Sequence, residues 1–341
     1  MEKAKQRDPN AAKLLSMIIP LYNVSEFATA ATASITSQAF EGLEVILVDD
    51  GSTDGSLQLF TDGLRGIDIV TISQENKGPG AARNAGIKAA TGEYVMYLDG
   101  DDFLLPHAFE NIRQALEIND YPDVLFGRYL RWIPKTGLIK GKEYDFKPPQ
   151  DPRLRTEYII SALPEPSWNV WRYISRRSII IEHAILFEEG VLCEDVKWVL
   201  LLLDEADTIA FLNEPFYAYN YHRPGSIVNS FTVKKLIDLN TIIAEQLPKY
   251  HDRPEITKRL IMESFYTINE YCAYRKEDRK LIFDSYRSVL PYYRLSDSRL
   301  HRVAGKVKNR TLFYLMSVCM YTTKKLRRLM LRIIRRGIRY E

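Results

Sequence analysis

The chain of 341 residues has little cysteine and no long apolar run. Its three cysteines, Cys193, Cys272 and Cys319, are odd in number and far apart, which argues against a disulfide framework and a zinc site with paired ligands. The longest apolar stretch, residues 312–321, is far shorter than the roughly 20 residues that cross a bilayer. Residues 1–12 form a polar N-terminal extension without the hydrophobic core of a secretion signal. We therefore expect a cytoplasmic protein with reduced thiols.

Charge is unevenly distributed. Residues 302–341 contain twelve Lys and Arg against one acid, Glu341, whereas the rest of the chain contains 35 basic and 43 acidic residues. Basic amphipathic helices are typical of proteins that lie on anionic membranes, so we expect a peripheral location on the inner face of the cell membrane. A nucleic-acid patch and a helix packed on the acidic body are the alternatives, and without aromatic stacking positions no nucleic-acid partner is expected. The apolar positions at helical spacing in this tail are Leu326, Leu329, Met330, Ile333 and Gly337.

Strand-like and helical segments alternate from Leu14 to Leu104. Ser25 and Asp54 are candidate N-caps of the first two helices, and a glycine turn with an Ala-rich helix follows at 78–92. This spacing predicts an α/β fold with a Rossmann-like, mostly parallel, doubly wound sheet. The four predicted strands are residues 14–20, 44–50, 67–73 and 93–99.

Beyond Leu104 the pattern predicts a helix at 106–118, a strand at 123–132 and a turn-rich surface loop or hairpin at 134–155. A helix at 194–206 and two strands, 208–212 and 216–222, follow, and residues 233–295 are expected to be helical. The predicted organisation is the extension 1–12, an α/β domain at 13–230, a helical region at 231–300 and the basic amphipathic tail at 301–341.

Two of the predicted strands end in acidic residues. Asp49 and Asp50 end the second strand, and Asp99-Gly100-Asp101-Asp102 ends the fourth. Ligands of open α/β sheets bind beyond the carboxyl ends of the strands, so both clusters are expected to face one crevice. Such a concentration of negative charge needs a cation. Because alternate residues of an extended segment point the same way, Asp99 and Asp101 are candidate ligands of one Mn²⁺ or Mg²⁺ that also carries a phosphate.

Four segments in order resemble the inverting glycosyltransferases of family 2, which have the GT-A fold and use nucleotide sugars. They are MIIPLYN (17–23), VDDGSTDGS (48–56), ENKGPGAARNAGIKAATGEYVMYLDGDD (75–102) and GVLCEDVKW (190–198). The resemblance covers about 13–230, which would make this the catalytic domain. The segments 167–179 and 217–227 are similar to enzymes that build bacterial capsule, exopolysaccharide or lipopolysaccharide.

The resemblance implies roles at the donor site. Asp50 would accept a hydrogen bond from uracil, and Pro20 and Tyr22 would pack against the base. Asp101 would bind the metal directly, while Asp99 would contact ribose or a metal-bound water. The alternatives are that Asp50 is only an acidic turn residue and that Tyr22 is only a core aromatic.

The resemblance also implies roles beside the diphosphate and the acceptor. Arg83 would support the diphosphate or the acidic cluster, with a paired surface arginine as the alternative. Asp195 would be the general base and Glu194 would orient it or bind acceptor hydroxyls, although acids in a first helical turn also compensate the helix dipole. His222 and Arg223 would cover the donor phosphates, unless they form a solvent-exposed turn.

The sequence therefore predicts a metal-dependent, inverting glycosyltransferase that moves a sugar from a nucleoside diphosphate donor, expected to be UDP-linked, to a saccharide or lipid-linked saccharide. RYLRW (128–132) is similar to a string of processive synthases but precedes Glu194-Asp195 instead of following it, so a non-processive enzyme is expected. A sugar nucleotidyltransferase is the second reading, although PLYNVSE stands where its glycine-rich loop would be. A catalytically inactive saccharide-binding or scaffold protein is the third.

Overall fold

The computed structural model describes residues 12–133, 137–139, 145–163, 167–221, 232–307, 310–318 and 320. The chain divides into two compact units, Met1–Ser226 and Ile227–Glu341. The predicted boundary at residue 230 and the separate tail from residue 301 stay predictions, and residues 321–341 lie outside the described part of the chain.

The first unit is built on a mixed sheet whose N-terminal half is parallel. The strands run in the order β3-β2-β1-β4, and every neighbouring pair among them is parallel. All residues of β2 and β4 are buried, as expected for strands covered by helices on both faces. The four strands are β1 (Lys13–Leu21), β2 (Leu43–Asp49), β3 (Asp68–Ser73) and β4 (Gly92–Tyr97). The predicted α/β fold with these four strands is confirmed.

The second half of the sheet mixes strand directions. It continues from β4 in the order β8-β6-β9-β5, with β8 antiparallel to both neighbours and β9 parallel to β6. The short β7 pairs with β6, and β5 pairs antiparallel with β9. These strands are β5 (Phe103–Leu104), β6 (Val124–Ile133), β7 (Gly137–Ile139), β8 (Tyr173–Arg176) and β9 (Ile209–Asn220).

The prediction of two strands at 208–212 and 216–222 is wrong, because β9 is continuous from Ile209 to Asn220. The register against β6 shifts on both sides of Arg128, which pairs with Pro215. Proline cannot donate a ladder hydrogen bond and is tolerated at such irregularities. Pro215 therefore marks a bulge within one strand and not a break between two.

Seven α-helices accompany the sheet in the described part of the first unit. The helices are α1 (Ala28–Thr36), α2 (Ser56–Gly63), α3 (Pro79–Ala89), α4 (Ala108–Ile118), α5 (Arg155–Glu157), α6 (Arg177–Glu182) and α7 (Glu194–Glu205).

The predicted cap at Ser25 is wrong: Ser25 begins a 3₁₀ turn, and its N–H donates to Asp54 Oδ2 at 2.9 Å. Asp54 also accepts from the N–H of Ser56, the first residue of α2, at 3.0 Å. Partial burial raises the pKa of Asp54, but hydrogen bonds from Ser56 and Ser25 outweigh it and lower the pKa to about 2.

The second unit is helical where it is described. Thr232 caps its first helix by accepting from the N–H of Lys235 at 3.1 Å. A further helical segment, residues 310–318, carries Phe313, which is fully buried against the rings of Tyr271, Phe283 and Tyr286. The other helices of this unit are α8 (Val233–Gln246), α9 (Pro254–Tyr271), α10 (Lys276–Val289) and α11 (Arg299–Ala304). No helix in the described residues is long and apolar enough to cross a membrane.

Candidate active site

The carboxyl ends of β1, β2 and β4 bring the two acidic clusters next to each other. The Leu21 carbonyl at the end of β1 accepts from the N–H of Asp50 at 2.9 Å. On the other side of β1, residues 99–102 form the acidic turn, whose Gly100 lies so close that a Cβ would stand 2.9 Å from Val24 Cγ2. The same Cβ would stand 3.2 Å from Leu21 Cδ2, at the end of β1, so only glycine fits at this point without a shift and β1 contacts both clusters.

Asp50 is buried and already holds three hydrogen bonds. Its carboxylate accepts from Gln74 Nε2 at 2.7 Å, from the N–H of Lys77 at 2.9 Å and from the N–H of Gly78 at 2.8 Å. A carboxylate offers about four lone-pair directions, so one remains for a ligand. Asp50 thus fixes the loop that leads into α3, and its role towards a base stays a prediction.

Pro20 and Tyr22 stand at the end of the same strand, close to Asp50 in the chain. Pro20 is half-buried, and 49% of Tyr22 is exposed. The reading of Tyr22 as a core aromatic is therefore wrong. An exposed ring at the carboxyl edge of the sheet is available for stacking, and the predicted contact of both residues with a base remains a prediction.

Arg83 connects the acidic turn to the start of α7. Its Nη2 lies 2.9 Å from Asp99 Oδ1, and its Nη1 lies 2.9 Å from Glu194 Oε1. The residue is 7% exposed, so the alternative of a surface arginine is wrong. Burial alone would lower the pKa of Arg83, but Asp99 and Glu194 outweigh burial and raise it. One charged guanidinium therefore holds two distant acidic motifs together.

The face of α3 that carries Arg83 also holds the segment before α7. Asn84 donates to the carbonyl of Phe187 at 2.9 Å and accepts from its N–H at 2.9 Å. A Cβ on Gly80 would lie 3.2 Å from the carbonyl oxygen of Glu188. Gly80, Arg83 and Asn84 share one helical face by their spacing, and this spacing is the only sequence signal for the roles of Gly80 and Asn84.

Glu194 and Asp195 occupy the first turn of α7, directly after Cys193, whose φ is +65°. Glu194 is buried, and burial raises its pKa while Arg83 opposes the rise. Asp195 is half-buried, and its Oδ1 accepts from the N–H of Val196 at 3.0 Å. Acids at this position also interact favourably with the helix dipole. Of the two carboxylates, Glu194 is bound to Arg83, while Asp195 stands at the less buried position.

Packing of α7 on the end of β4 fixes the positions of Glu194 and Asp195. Trp198 is fully buried, and its ring stacks on Phe187 with centroids 4.9 Å apart. It also packs edge-on against Tyr97, the last residue of β4, at 5.5 Å. Trp198 Nε1 donates to the Ile185 carbonyl at 3.2 Å.

Asp102, the last acid of the acidic turn, is hydrogen-bonded to β9. Asp102 is 2% exposed, and its two oxygens accept from the Tyr217 hydroxyl at 2.6 Å and the N–H of Asn220 at 2.7 Å. Burial, followed by repulsion from Asp101 and Asp99, raises the pKa of Asp102 well above its usual range. Asp102 therefore anchors the turn, and its partners Tyr217 and Asn220 were not predicted from the sequence.

The remaining two acids of the turn fit a divalent ion that is shared with a ligand. Among the described residues no group of three or more His, Cys, Asp and Glu side chains is placed to hold a metal. Asp99 and Asp101 are both half-buried, at alternate positions of the turn. Mg²⁺ is usually bound by one or two carboxylates, with waters and substrate phosphates as the other ligands. Two carboxylates are therefore a suitable donor set for such an ion. His222 and Arg223 lie outside the described residues.

A cavity of about 360 Å³ lies elsewhere in the first unit and contains none of the predicted site residues. Four of its lining side chains form ion pairs. Arg176 pairs with Asp123 and with Glu93, which is not a lining residue, and His183 pairs with Glu205 at 2.7 Å. We assign no chemistry to this cavity.

Comparison with solved structures confirms the GT-A fold. S. aureus TarS 1-349 in complex with UDP-GlcNAc matches with a TM-score of 0.69 at 20% identity, over 90% of this chain and 89% of the TarS 1-349 chain. The mannosyltransferase PcManGT from Pyrobaculum calidifontis, in complex with GDP-Man and Mn²⁺, matches with a TM-score of 0.52 at 14% identity, over 94% of this chain and 88% of that one. The fold of this protein is therefore the GT-A fold.

Sequence comparison gives the family. Residues 16–169 match the model of "Glycosyl transferase family 2". The uncharacterized glycosyltransferase EpsJ of Bacillus subtilis is 32% identical over 222 residues, which are 63% of this chain and 62% of EpsJ. Residues 16–169 of this protein are therefore similar to glycosyltransferase family 2, and the match to EpsJ spans less than two thirds of the length of EpsJ.

Proposed function

We propose that this protein transfers a sugar from a nucleoside diphosphate donor to a saccharide acceptor, with inversion at the anomeric carbon. The observation that carries the proposal is the buried Arg83, which joins Asp99 of the acidic turn to Glu194 beside Asp195. Residues suited to a metal diphosphate and to proton transfer are thereby brought together, and ligands of open α/β sheets bind at the carboxyl edge where the acidic turn lies. The match of residues 16–169 to the family 2 model supports glycosyl transfer as the reaction.

The donor we propose is UDP-linked. Asp50 would accept from the base through its remaining lone-pair direction, and Pro20 and Tyr22 would contact the ring. Asp99 and Asp101 would hold Mn²⁺ or Mg²⁺, which supplies neutralisation of the leaving diphosphate when bound. The bound UDP-GlcNAc in TarS and the Mn²⁺ in PcManGT support this choice. His222 and Arg223 remain proposed contacts of the donor phosphates.

The proposed base is Asp195. The acceptor oxygen attacks the anomeric carbon on the face opposite the diphosphate, the bond from that carbon to the diphosphate oxygen breaks, and the acceptor proton moves to Asp195. Glu194 Oε1 is committed to Arg83 at 2.9 Å, which suits Glu194 to orientation and not to proton transfer. Arg83 would in addition offset negative charge at Asp99 while the diphosphate leaves.

We also propose that the acceptor is a saccharide or lipid-linked saccharide of surface polysaccharide synthesis, reached by a peripheral enzyme on the inner face of the membrane. The basic residues of the tail would attract anionic lipid. Within the first part of the tail, Leu312 and Leu315 are 57% and 52% exposed, while Phe313 between them is buried. An apolar edge beside basic residues is suited to a membrane surface.

The test of this function is a panel of nucleotide sugars assayed for hydrolysis and transfer with Mn²⁺ and with EDTA. We expect turnover with at least one UDP-sugar, only in the presence of metal. Asp195→Asn should keep donor binding and lower turnover by about 10²–10⁴-fold, because an amide cannot accept the proton. Asp204→Asn, the same change at an exposed position of α7, is the matched control and should leave turnover unchanged. Full activity of Asp195→Asn would show that the base lies elsewhere.

A further inference from the structure

The acidic turn is held from outside by the C-terminal part of β9. The hydroxyl of Tyr217 donates to Asp102 Oδ2 at 2.6 Å and accepts from the backbone N–H of Asp99 at 3.2 Å. Asn220 donates to Asp102 from its backbone at 2.7 Å and to the Asp101 carbonyl from its side chain at 3.3 Å. Both ends of the turn are therefore hydrogen-bonded to one strand.

Packing fixes the hydroxyl of Tyr217 independently of the turn. The residue is fully buried, and its ring stacks on Trp171 with centroids 4.2 Å apart and an interplanar angle of 6°. The stacked ring therefore holds the Tyr217 hydroxyl in a fixed position beside the acidic turn. A side chain that served only to fill space would need no hydroxyl, and burying Asp102 would cost free energy without these partners.

We propose that Tyr217 is a positioning residue for the metal–diphosphate site: through Asp102 and the N–H of Asp99, its hydroxyl sets the backbone of the acidic turn and thereby the directions of the Asp99 and Asp101 carboxylates. This inference rests on the proposed function. Hydrogen-bonded partners behind metal ligands orient those ligands, and their loss typically lowers metal affinity by about 10–100-fold.

Tyr217→Phe tests the proposal because it removes one hydroxyl and keeps the stacked ring. Tyr94→Phe is the matched control, since Tyr94 is equally buried and its hydroxyl donates to the Pro122 carbonyl at 2.7 Å, away from the acidic turn. Urea unfolding followed by tryptophan fluorescence measures the loss of stability in each variant. Calorimetric titration with UDP and Mn²⁺ measures affinity for the metal diphosphate.

We expect both variants to lower the urea midpoint by similar amounts, and only Tyr217→Phe to weaken binding of UDP with Mn²⁺, by roughly tenfold or more. In steady-state assays Tyr217→Phe should raise the KM for the donor and the Mn²⁺ concentration required, while saturating Mn²⁺ restores most of kcat. The affinity of Asp102→Asn for UDP with Mn²⁺ should lie between that of Tyr217→Phe and that of the wild type, because its amide keeps hydrogen bonds to β9.

Equal affinity of wild type and Tyr217→Phe for UDP with Mn²⁺ would overturn the positioning role and leave the proposed function standing. An equal loss of affinity in Tyr94→Phe would also overturn it, because the effect would then follow from stability alone. If the wild type binds no UDP with Mn²⁺, the proposed function fails, and the positioning role fails with it.

Discussion

Replacement of Arg83 by methionine should strongly destabilise the first unit. Methionine keeps an unbranched apolar stem, while the charge between Glu194 and Asp99 disappears. The side chain of Glu194 is 7% exposed, whereas that of Asp99 is 29% exposed, so water partly screens the charge of Asp99. Breaking a buried ion pair by removal of one partner costs about 3–5 kcal/mol, and we assign this cost to Glu194. With an m value of about 3 kcal/mol per molar urea, the unfolding midpoint should fall by about 1–1.7 M.

The loss should depend on pH. In the wild type, burial holds the pKa of Glu194 above its usual value although Arg83 opposes this, so Glu194 binds its proton more tightly in the folded state. Its contribution to stability is then fully present below the unfolded pKa and is lost as pH rises through the folded pKa. Without Arg83 the folded pKa rises further. The difference between wild type and Arg83→Met should therefore be small near pH 4.5 and larger at pH 7–8.

Tryptophan fluorescence is the appropriate assay because all four tryptophans, Trp132, Trp168, Trp171 and Trp198, lie in the first unit. The double variant Arg83→Met/Glu194→Leu should recover most of the stability, since an apolar pair can replace a buried ion pair with little cost. A loss below about 1 kcal/mol for Arg83→Met, or a loss that does not change between pH 4.5 and 8, would refute the argument that Glu194 is buried and depends on this guanidinium.

Two other changes have defined outcomes. Gly100→Ala would place a Cβ 2.9 Å from Val24 Cγ2, so we expect a loss of about 1–3 kcal/mol in urea unfolding together with weaker binding of UDP with Mn²⁺; unchanged values of both would contradict the close contact. A variant that ends at Met320 keeps Phe313 in the helical unit but loses eight of the twelve basic residues of 302–341. It should no longer co-sediment with phosphatidylglycerol vesicles, whereas the full chain should do so less as salt shortens the screening length from about 10 Å at 0.1 M. Equal sedimentation of both chains would show that residues 321–341 do not bind the membrane.

The sequence was sufficient for the parallel half of the sheet and for the acids at its edge. Continuous apolar runs that end in Asp50 and Asp99 can be read locally, and the rule that ligands lie beyond strand ends then places both acids together. The helix start at Glu194 was predictable for the same reason, because its apolar periodicity lies in adjacent residues.

Contacts between distant residues could not be predicted. Arg83 and Glu194 are 111 positions apart, and Tyr217 and Asp102 are 115 positions apart. No local pattern reports such pairs, since they depend on how α3, α7 and β9 pack around the sheet. The predicted cap at Ser25 is wrong for a similar reason, because the Ser25 N–H donates to Asp54, a residue in a different loop. Two strands, 208–212 and 216–222, were predicted where β9 is continuous, because a bulge is visible only against the partner strand.

The most direct test of the proposed metal-dependent donor site is a calorimetric titration of the full chain with UDP, once with Mn²⁺ and once with EDTA. Without a metal ion the diphosphate would be repelled by the acidic turn, in which Arg83 pairs with Asp99, so we expect measurable binding only with Mn²⁺. Asp101→Ala should abolish the difference between the two conditions. Equal affinity of the wild type for UDP with and without metal would contradict the assignment of the acidic turn as a metal–diphosphate site.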